Sequence, residues 1–161
     1  MRKAMVIVTA IVVLGLIDWT IAQRESIVRD GRVLLLELAP VDPRSLMQGD
    51  YMALRFRIGT DAFADKSVAP PTDGVLVVAV AADGVATFRR FDDRQPLAAD
   101  EARLRYRIRD GQLKLAANAF FFEEGAAKIY APARYGEMRV AENGDAILTG
   151  LRDAQRARLG G

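Results

Sequence analysis

Few residues in this sequence could carry catalytic chemistry. Its 161 residues include no Cys and no His, which removes thiolate and imidazole groups as nucleophiles, general bases and metal ligands. Ser45 is a candidate nucleophile, with Lys128 as its activator provided that burial favours the neutral amine. An exported Ser/Lys-type hydrolase is therefore one alternative for the function.

The adjacent carboxylates Glu123 and Glu124 are a second candidate. A glycosidase needs two carboxyl groups that flank one cleft, whereas neighbouring residues on a helix point in different directions. The residue types thus favour a noncatalytic protein without a metal ion or cofactor, and they leave any small-molecule ligand unknown.

Composition and charge restrict the class of partner. With 51% hydrophobic and 27% charged residues, the chain is suited to one domain with a sizeable core. It has 23 Lys and Arg against 21 Asp and Glu, and without Arg2 and Lys3 the numbers are equal. A neutral domain argues against nucleic acid as the partner, and the lack of Cys excludes a disulfide scaffold.

The amino terminus has the pattern of a membrane anchor. Arg2 and Lys3 precede the uncharged run Ala4–Ile17, and after Asp18 the apolar character resumes as far as Ala22. A helix over 4–22 would be about 28 Å long, close to the roughly 30 Å of bilayer hydrocarbon. The positive start predicts a cytoplasmic amino terminus and a single pass through the inner membrane, with the rest of the chain in the periplasm.

Two features of this segment leave alternatives open. Thr20-Ile21-Ala22 resembles a signal-peptidase site, and cleavage after Ala22 would release a soluble periplasmic binding module. Asp18 lies about one turn from the outer end, beside Trp19, where its carboxylate can reach the interface. Alternatively, Asp18 contacts a neighbouring membrane helix.

Beyond the anchor, the sequence predicts a mainly β (α+β) domain, an antiparallel sheet or sandwich of six to eight strands with one short helix. Asp83-Gly84, Asp110-Gly111 and Asn143-Gly144 are two-residue turns that each join two apolar segments into a hairpin. The helix is expected within 123–134, limited by Pro132. The predicted strands cover 32–38, 51–58, 74–81, 85–91, 103–109, 112–115, 137–141 and 146–151.

The expected organisation has three parts. Residues 1–27 form the cytoplasmic start and the transmembrane anchor with its juxtamembrane segment, 28–152 the periplasmic β domain and 153–161 a polar tail. Within the domain, 61–73 and 92–100 are predicted surface loops because Pro and polar residues cluster there.

One segment is more distinctive than the rest. Residues 42–56 read DPRSLMQGDYMALRF, which resembles the signature of the bacterial GDYXXLXY family, with Phe in place of the last Tyr. The resemblance covers roughly 28–151 and implies a small exported domain behind one N-terminal anchor, often encoded beside multi-pass membrane proteins, with no established activity. The signature positions are Asp42, Pro43, Arg44, Gly49, Asp50, Tyr51, Leu54 and Phe56.

The signature segment has two physical interpretations. Pro43 fixes φ, Asp42 can accept backbone donors and Gly49 permits a positive φ, which together favour a rigid corner before a strand that Tyr51 anchors. The alternative is a recognition loop for a partner or a peptide, since rigid scaffolds commonly present such loops.

An arginine stripe and an aromatic triplet are further contact candidates. Arg103, Arg105, Arg107 and Arg109 alternate along one predicted strand and would share one face, which Arg55 and Arg57 would extend from an adjacent strand. This face is either solvated beside cross-strand acids or meets phosphates of anionic lipid or an acidic partner.

The triplet Phe120-Phe121-Phe122 cannot place all three rings on one face of a strand. The rings either lie between sheet and helix or form an exposed patch for a partner or the membrane surface. We therefore expect a noncatalytic accessory or scaffold protein that docks on a multi-pass inner-membrane protein through Asp18, the signature loop or this triplet.

Overall fold

The protein is mainly β, as the sequence predicts. The computed structural model describes residues 2–39, 51–64, 71–109 and 112–160. In these ranges, a long N-terminal helix precedes a curled sheet of seven strands, a second sheet of two strands and two short helices.

Twelve helices and strands make up the described part of the chain. The helices are α1 (Arg2–Asp30), α2 (Arg57–Ala62) and α3 (Ala127–Tyr130). The strands are β1 (Arg32–Glu37), β2 (Tyr51–Ala53), β3 (Asp73–Val80), β4 (Val85–Phe91), β5 (Glu101–Arg109), β6 (Gln112–Lys114), β7 (Ala119–Phe121), β8 (Tyr135–Val140) and β9 (Ala146–Arg152).

The large sheet is mixed, whereas the sequence predicted antiparallel pairing. Its strand order is β6-β5-β3-β4-β1-β8-β9, and β2 pairs with β7 in the small sheet. All described pairs are antiparallel except β1 with β4, in which Leu35 lies opposite Val85. Turn residues such as Asp83-Gly84 fix the direction of consecutive strands only, so they do not report how β1 meets a strand that is distant in the sequence.

The sheet curls until its two ends approach each other. The turn between β8 and β9 reaches β5, where the Arg105 N–H donates to the Gly144 carbonyl at 2.8 Å. A second contact joins the starts of β1 and β5, where Arg32 Nη1 donates to the Glu101 carbonyl at 2.8 Å. Register shifts at Val77/Val78 and at Glu137/Met138 accompany the curl, since bulges bend a strand and increase its twist.

The hydrophobic core lies on the inner face of this curled sheet. Leu34 and Leu36 of β1 face inward and alternate with outward-facing neighbours. Residues paired across neighbouring strands share a face, so that Leu76 of β3 and its partner Leu104 of β5 are both in the core. Each fully buried side chain of this size contributes roughly 1.5–3 kcal/mol relative to exposure. Side chains with no exposure at all are Leu34, Leu36, Leu76, Val77, Val78, Leu104, Met138 and Leu151, most of which belong to this core.

Two predicted elements need correction. The predicted strand 51–58 ends at Ala53, because the chain turns into α2 and buries Ile58 and Ala62, four residues apart, against the core. As a result, the predicted loop 61–73 begins inside α2. The helix expected within 123–134 is the single turn α3, which stops before Pro132.

Helix α1 projects from one end of the sheet. Its described side chains before Ser26 are exposed, and Ile27 is the buried residue through which it packs on the domain. Gly31 follows directly, and a Cβ atom there would clash with the Ile27 carbonyl oxygen and lie 3.1 Å from the Val140 nitrogen, so a larger residue would disturb the junction between α1 and the sheet. By length and composition, Met5–Asp30 can cross a membrane, although a signal sequence meets the same criterion.

The C-terminal residues fold back along β9. The Leu159 N–H donates to the Leu151 carbonyl at 2.9 Å, and the Leu159 side chain packs against the core. Arg156 forms an ion pair with Asp83 in the β3–β4 turn. Residues 153–160 are therefore part of the folded domain.

Candidate functional site

Only the last part of the signature falls within the described ranges. Tyr51 and Leu54 lie in and just after β2, and Phe56 precedes α2. The signature residues Asp42, Pro43, Arg44, Gly49 and Asp50, together with the candidate nucleophile Ser45, lie outside the described residues.

The chain on either side of the signature is held together at its base. The Ala39 N–H donates to the Arg55 carbonyl at 2.8 Å, and Leu38 forms a bridge with Phe56. Consequently, Ala39 and Arg55 lie side by side at the end of β1 opposite α1.

Leu54 and Phe56 are packing residues. Their exposures are 6% and 9%, and both belong to the core. The Phe56 ring lies against Gly136 of β8, where an added Cβ would be 2.8 Å from Cε1. The ring therefore fills this position without the hydroxyl of the Tyr that the family signature has here.

Tyr51 and Phe121 form an exposed aromatic pair. They lie directly opposite each other in the β2–β7 register, with ring centroids 5.7 Å apart. Tyr51 is 36% exposed and Phe121 is 75% exposed. The structure thus joins the end of the signature to the phenylalanine triplet, two regions that the sequence separates by about 70 residues.

The other two phenylalanines face inward. The Tyr130 ring lies 5.0 Å from the Phe120 ring and 5.3 Å from the Phe122 ring, measured between centroids. Met52, opposite Phe120, is 3% exposed. These inner contacts fix the small sheet on the core, so the exposed rings on its other face are held in place.

The arginine stripe on β5 meets several acids. Arg103 pairs with Asp92 at 3.1 Å and Arg105 with Asp145 at 2.9 Å. Much of the stripe therefore matches a solvated face with neighbouring carboxylates.

At the Arg107–Arg109 end of the stripe, the contacts with acids are longer. Arg107 and Arg109 share Asp73 at 3.7 and 3.6 Å. Arg57 does not extend the stripe, because it lies on α2 and pairs with Glu37 at 3.2 Å.

Two cavities adjoin this stripe. A cavity of about 740 Å³ lies at the foot of α1, between Ile27, Val140 and the start of β5. Its polar groups Arg32, Glu101 and Arg103 already have partners. A smaller one of about 390 Å³ lies between β3 and β5 beside Arg107.

The described residues assemble no catalytic constellation. Glu123, Glu124 and Lys128 are exposed, and Ser45 lies outside the described ranges. Among the residues with defined positions, no group of three Asp or Glu side chains is placed to hold a metal ion.

Sequence reasoning missed a buried polar cluster on the outer face of β8 and β9. Glu137 is 4% exposed and accepts hydrogen bonds from Thr149 Oγ1 at 2.9 Å and Arg152 Nε at 2.6 Å. Burial disfavours the charged carboxylate, but these bonds outweigh it and lower the pKa of Glu137. The two-residue alternation along β8 predicts that the Glu137 side chain faces outward. It does not predict that Glu137 is buried, because that burial depends on Arg152 and the folded-back tail.

Comparison with known proteins gives one family and no individual relative. Residues 13–151 match the family described as GDYXXLXY protein. No curated protein and no solved structure gives a significant match. The matched range contains the signature, the aromatic pair and the curled sheet apart from the last residue of β9, and on this basis the chain belongs to the GDYXXLXY protein family.

Proposed function

We propose that this protein is a noncatalytic accessory or scaffold protein, anchored in the bacterial inner membrane by α1, whose periplasmic domain docks on a multi-pass membrane protein. The exposed pair of Tyr51 and Phe121 is the observation that carries this proposal. Among the described residues, no group offers a nucleophile together with its base. We therefore propose that this surface binds a partner rather than catalysing a reaction.

The anchor supports the membrane part of the proposal. The described side chains of α1 before Ser26 are exposed, although many are large and apolar. Such a surface is costly in water and favourable in hydrocarbon. Arg2 and Lys3 at its start favour a cytoplasmic amino terminus, which supports a periplasmic location for the β domain.

The aromatic pair supports the docking part. Aromatic side chains are enriched at the energetic centres of protein interfaces because they bury a large area with few rotatable bonds. Phe121 is three-quarters exposed, yet its backbone is fixed by pairing with β2 and by the inward contacts of Phe120. A partner would therefore gain apolar burial without having to order this surface.

The position of the signature base favours one part of the partner. The base lies at the end of β1 opposite α1, and the six residues of β1 span roughly 20 Å. The contact is thus with a periplasmic loop or domain of the partner, while Asp18 is the group available to its membrane helices.

Site-specific photo-crosslinking in native membranes tests this proposal. A photoreactive residue at Phe121 should give a discrete adduct with an integral membrane protein. The same residue at Val33, which is 38% exposed on the outer face of β1, is the matched control and should give none. Absence of an adduct from position 121 in a folded, membrane-inserted protein would contradict the proposal, as would identical adducts from both positions.

A further inference from the structure

We infer that β5 carries a binding site for a phosphate group, formed by Arg105, Arg107 and Arg109. These residues line the cavity of about 390 Å³ between β3 and β5, together with Asp73 and Gly74 of β3. The inference does not depend on the proposed docking, because the aromatic pair belongs to the other sheet.

The spacing of the arginines suits a small oxyanion. Alternate residues of a strand project from the same face at intervals of about 6.7 Å. Guanidinium groups on long side chains at that spacing can converge on one phosphate, and each can bind it through two parallel N–H donors.

The charges in the cavity leave an excess of positive charge. Arg105 has its own carboxylate, that of Asp145, at 2.9 Å. Arg107 Nε and Arg109 Nη2 instead approach the same oxygen, Oδ1 of Asp73, at 3.7 and 3.6 Å. Among the residues that the structure describes, three guanidinium groups thus face two carboxylates, and both contacts to Asp73 are too long for hydrogen bonds.

The arginines at this site also have more hydrogen-bond donors than acceptors to receive them. Within the described ranges, the Arg107 guanidinium donates no hydrogen bond, and Arg109 donates one, to the Ile108 carbonyl at 2.9 Å. Each guanidinium has five N–H donors. A phosphate supplies several acceptor oxygens at once, whereas the single carboxylate already present, Asp73, leaves these donors unbonded.

Gly74 makes room for the Tyr106 ring, which lies on the inner face of the sheet, opposite to the face that carries the arginines. This glycine lies opposite Tyr106, and a Cβ at position 74 would be 2.7 Å from the Tyr106 hydroxyl oxygen. That hydroxyl donates to the Pro71 carbonyl at 3.2 Å, which fixes the ring beneath the cavity. The cavity on the outer face is therefore floored by the strand backbone at Gly74 and walled by arginines, while the Tyr106 ring supports this backbone from the inner face.

Calorimetric titration of the full chain in a neutral detergent with inorganic phosphate tests the site, with acetate at equal ionic strength as the comparison anion. Phosphate should bind saturably and more tightly than acetate. The double variant Arg107→Gln/Arg109→Gln should weaken phosphate binding about ten- to hundredfold, because hydrogen bonds between charged groups are lost.

Two further variants control for folding and for charge in general. Arg57→Gln removes a similarly exposed arginine on α2 and should leave phosphate affinity within about twofold, because Arg57 does not line the cavity and has its own partner in Glu37. Asp73→Asn removes the competing carboxylate and should strengthen binding. Non-saturable phosphate heats, equal losses in Arg57→Gln, or weaker binding in Asp73→Asn would each overturn the inference.

Nanodiscs distinguish a lipid headgroup from a soluble phosphorylated ligand as the source of the phosphate. If lipid occupies the site, inorganic phosphate should bind more weakly in discs containing phosphatidylglycerol than in phosphatidylcholine discs. If the ligand is soluble, phosphate affinity should be equal in both. Either result supports the site provided that Arg107→Gln/Arg109→Gln weakens phosphate binding about ten- to hundredfold in the phosphatidylcholine discs, and an unchanged phosphate affinity in this variant overturns it.

Discussion

The ring of Phe56 lies against the backbone of Gly136, so closely that a Cβ at position 136 would be 2.8 Å from Cε1. This contact joins the end of the family signature to β8, the neighbour of the edge strand β9. Since Phe56 also bridges to Leu38, the same residue closes the base of the signature segment. The aromatic ring at this position is thus required by packing.

Gly136→Ala should destabilise the protein by about 1–3 kcal/mol, the usual cost of forcing extra volume into a packed core. In a Phe56→Leu background the same change should cost less, because the smaller side chain leaves room for the methyl group. Urea denaturation of the four members of this double-mutant cycle measures the coupling.

Gly59→Ala is the matched control for that cycle. Gly59 lies inside α2, and its nearest side-chain neighbour, Leu113, would be 3.5 Å from an added Cβ. Alanine should therefore be neutral or stabilising there by up to about 1 kcal/mol, given its higher helix propensity. Equal destabilisation at both glycines would show that the Phe56 contact is not the cause.

Glu137 should make the stability of the fold sensitive to acid. Its pKa is lowered below the ordinary 4.5 in the folded protein, because bonds from Thr149 and Arg152 outweigh burial. A lowered folded-state pKa means that the stabilisation is complete above 4.5 and is lost as the pH falls through the folded-state value. Urea denaturation from pH 7 down to pH 3 should show this loss.

Glu137→Gln should be less stable than the native protein at pH 7 by about 1–3 kcal/mol, because it leaves Arg152 partly buried without its countercharge. The loss of stability on acidification should be smaller in this variant. Glu123→Gln, an exposed change of the same type, should leave both values unaltered. A native-like acid profile in Glu137→Gln would contradict the assignment.

The folded-back C-terminal segment offers a direct comparison of apolar packing with a surface ion pair. Leu159→Ala should cost about 1–2 kcal/mol because the side chain packs on the core. Arg156→Gln should cost less than about 1 kcal/mol, because Arg156 and Asp83 are each 42% exposed. Thermal unfolding of both variants measures the order, and a larger effect of Arg156→Gln would refute this ranking.

The anchor should remain attached to the mature protein. Intact-mass analysis should find residues 1–22 present, and alkaline extraction should leave the protein in the membrane fraction. Alkaline phosphatase fused after Gly161 should be active and a green fluorescent protein fusion dark, since the carboxyl end is expected in the periplasm. Cleavage after Ala22 would instead indicate the soluble binding module.

Local patterns in the sequence predicted much of the secondary structure. Val85–Phe91 forms β4 with the predicted bounds, and Asp83-Gly84 and Asn143-Gly144 join the hairpins expected of them. These features depend on residues close in the chain, whose backbone preferences act without the rest of the fold. The same holds for α1, whose length and apolarity are properties of one segment.

Tertiary contacts decided the rest. The parallel pairing of β1 with β4, the turn of Arg57–Ala62 into a helix and the burial of Glu137 each depend on partners far away in the chain. The candidate sites arise in the same way. Tyr51 meets Phe121, and Arg107 meets Asp73, because strand pairing brings distant residues together, and no periodicity within either segment encodes that register.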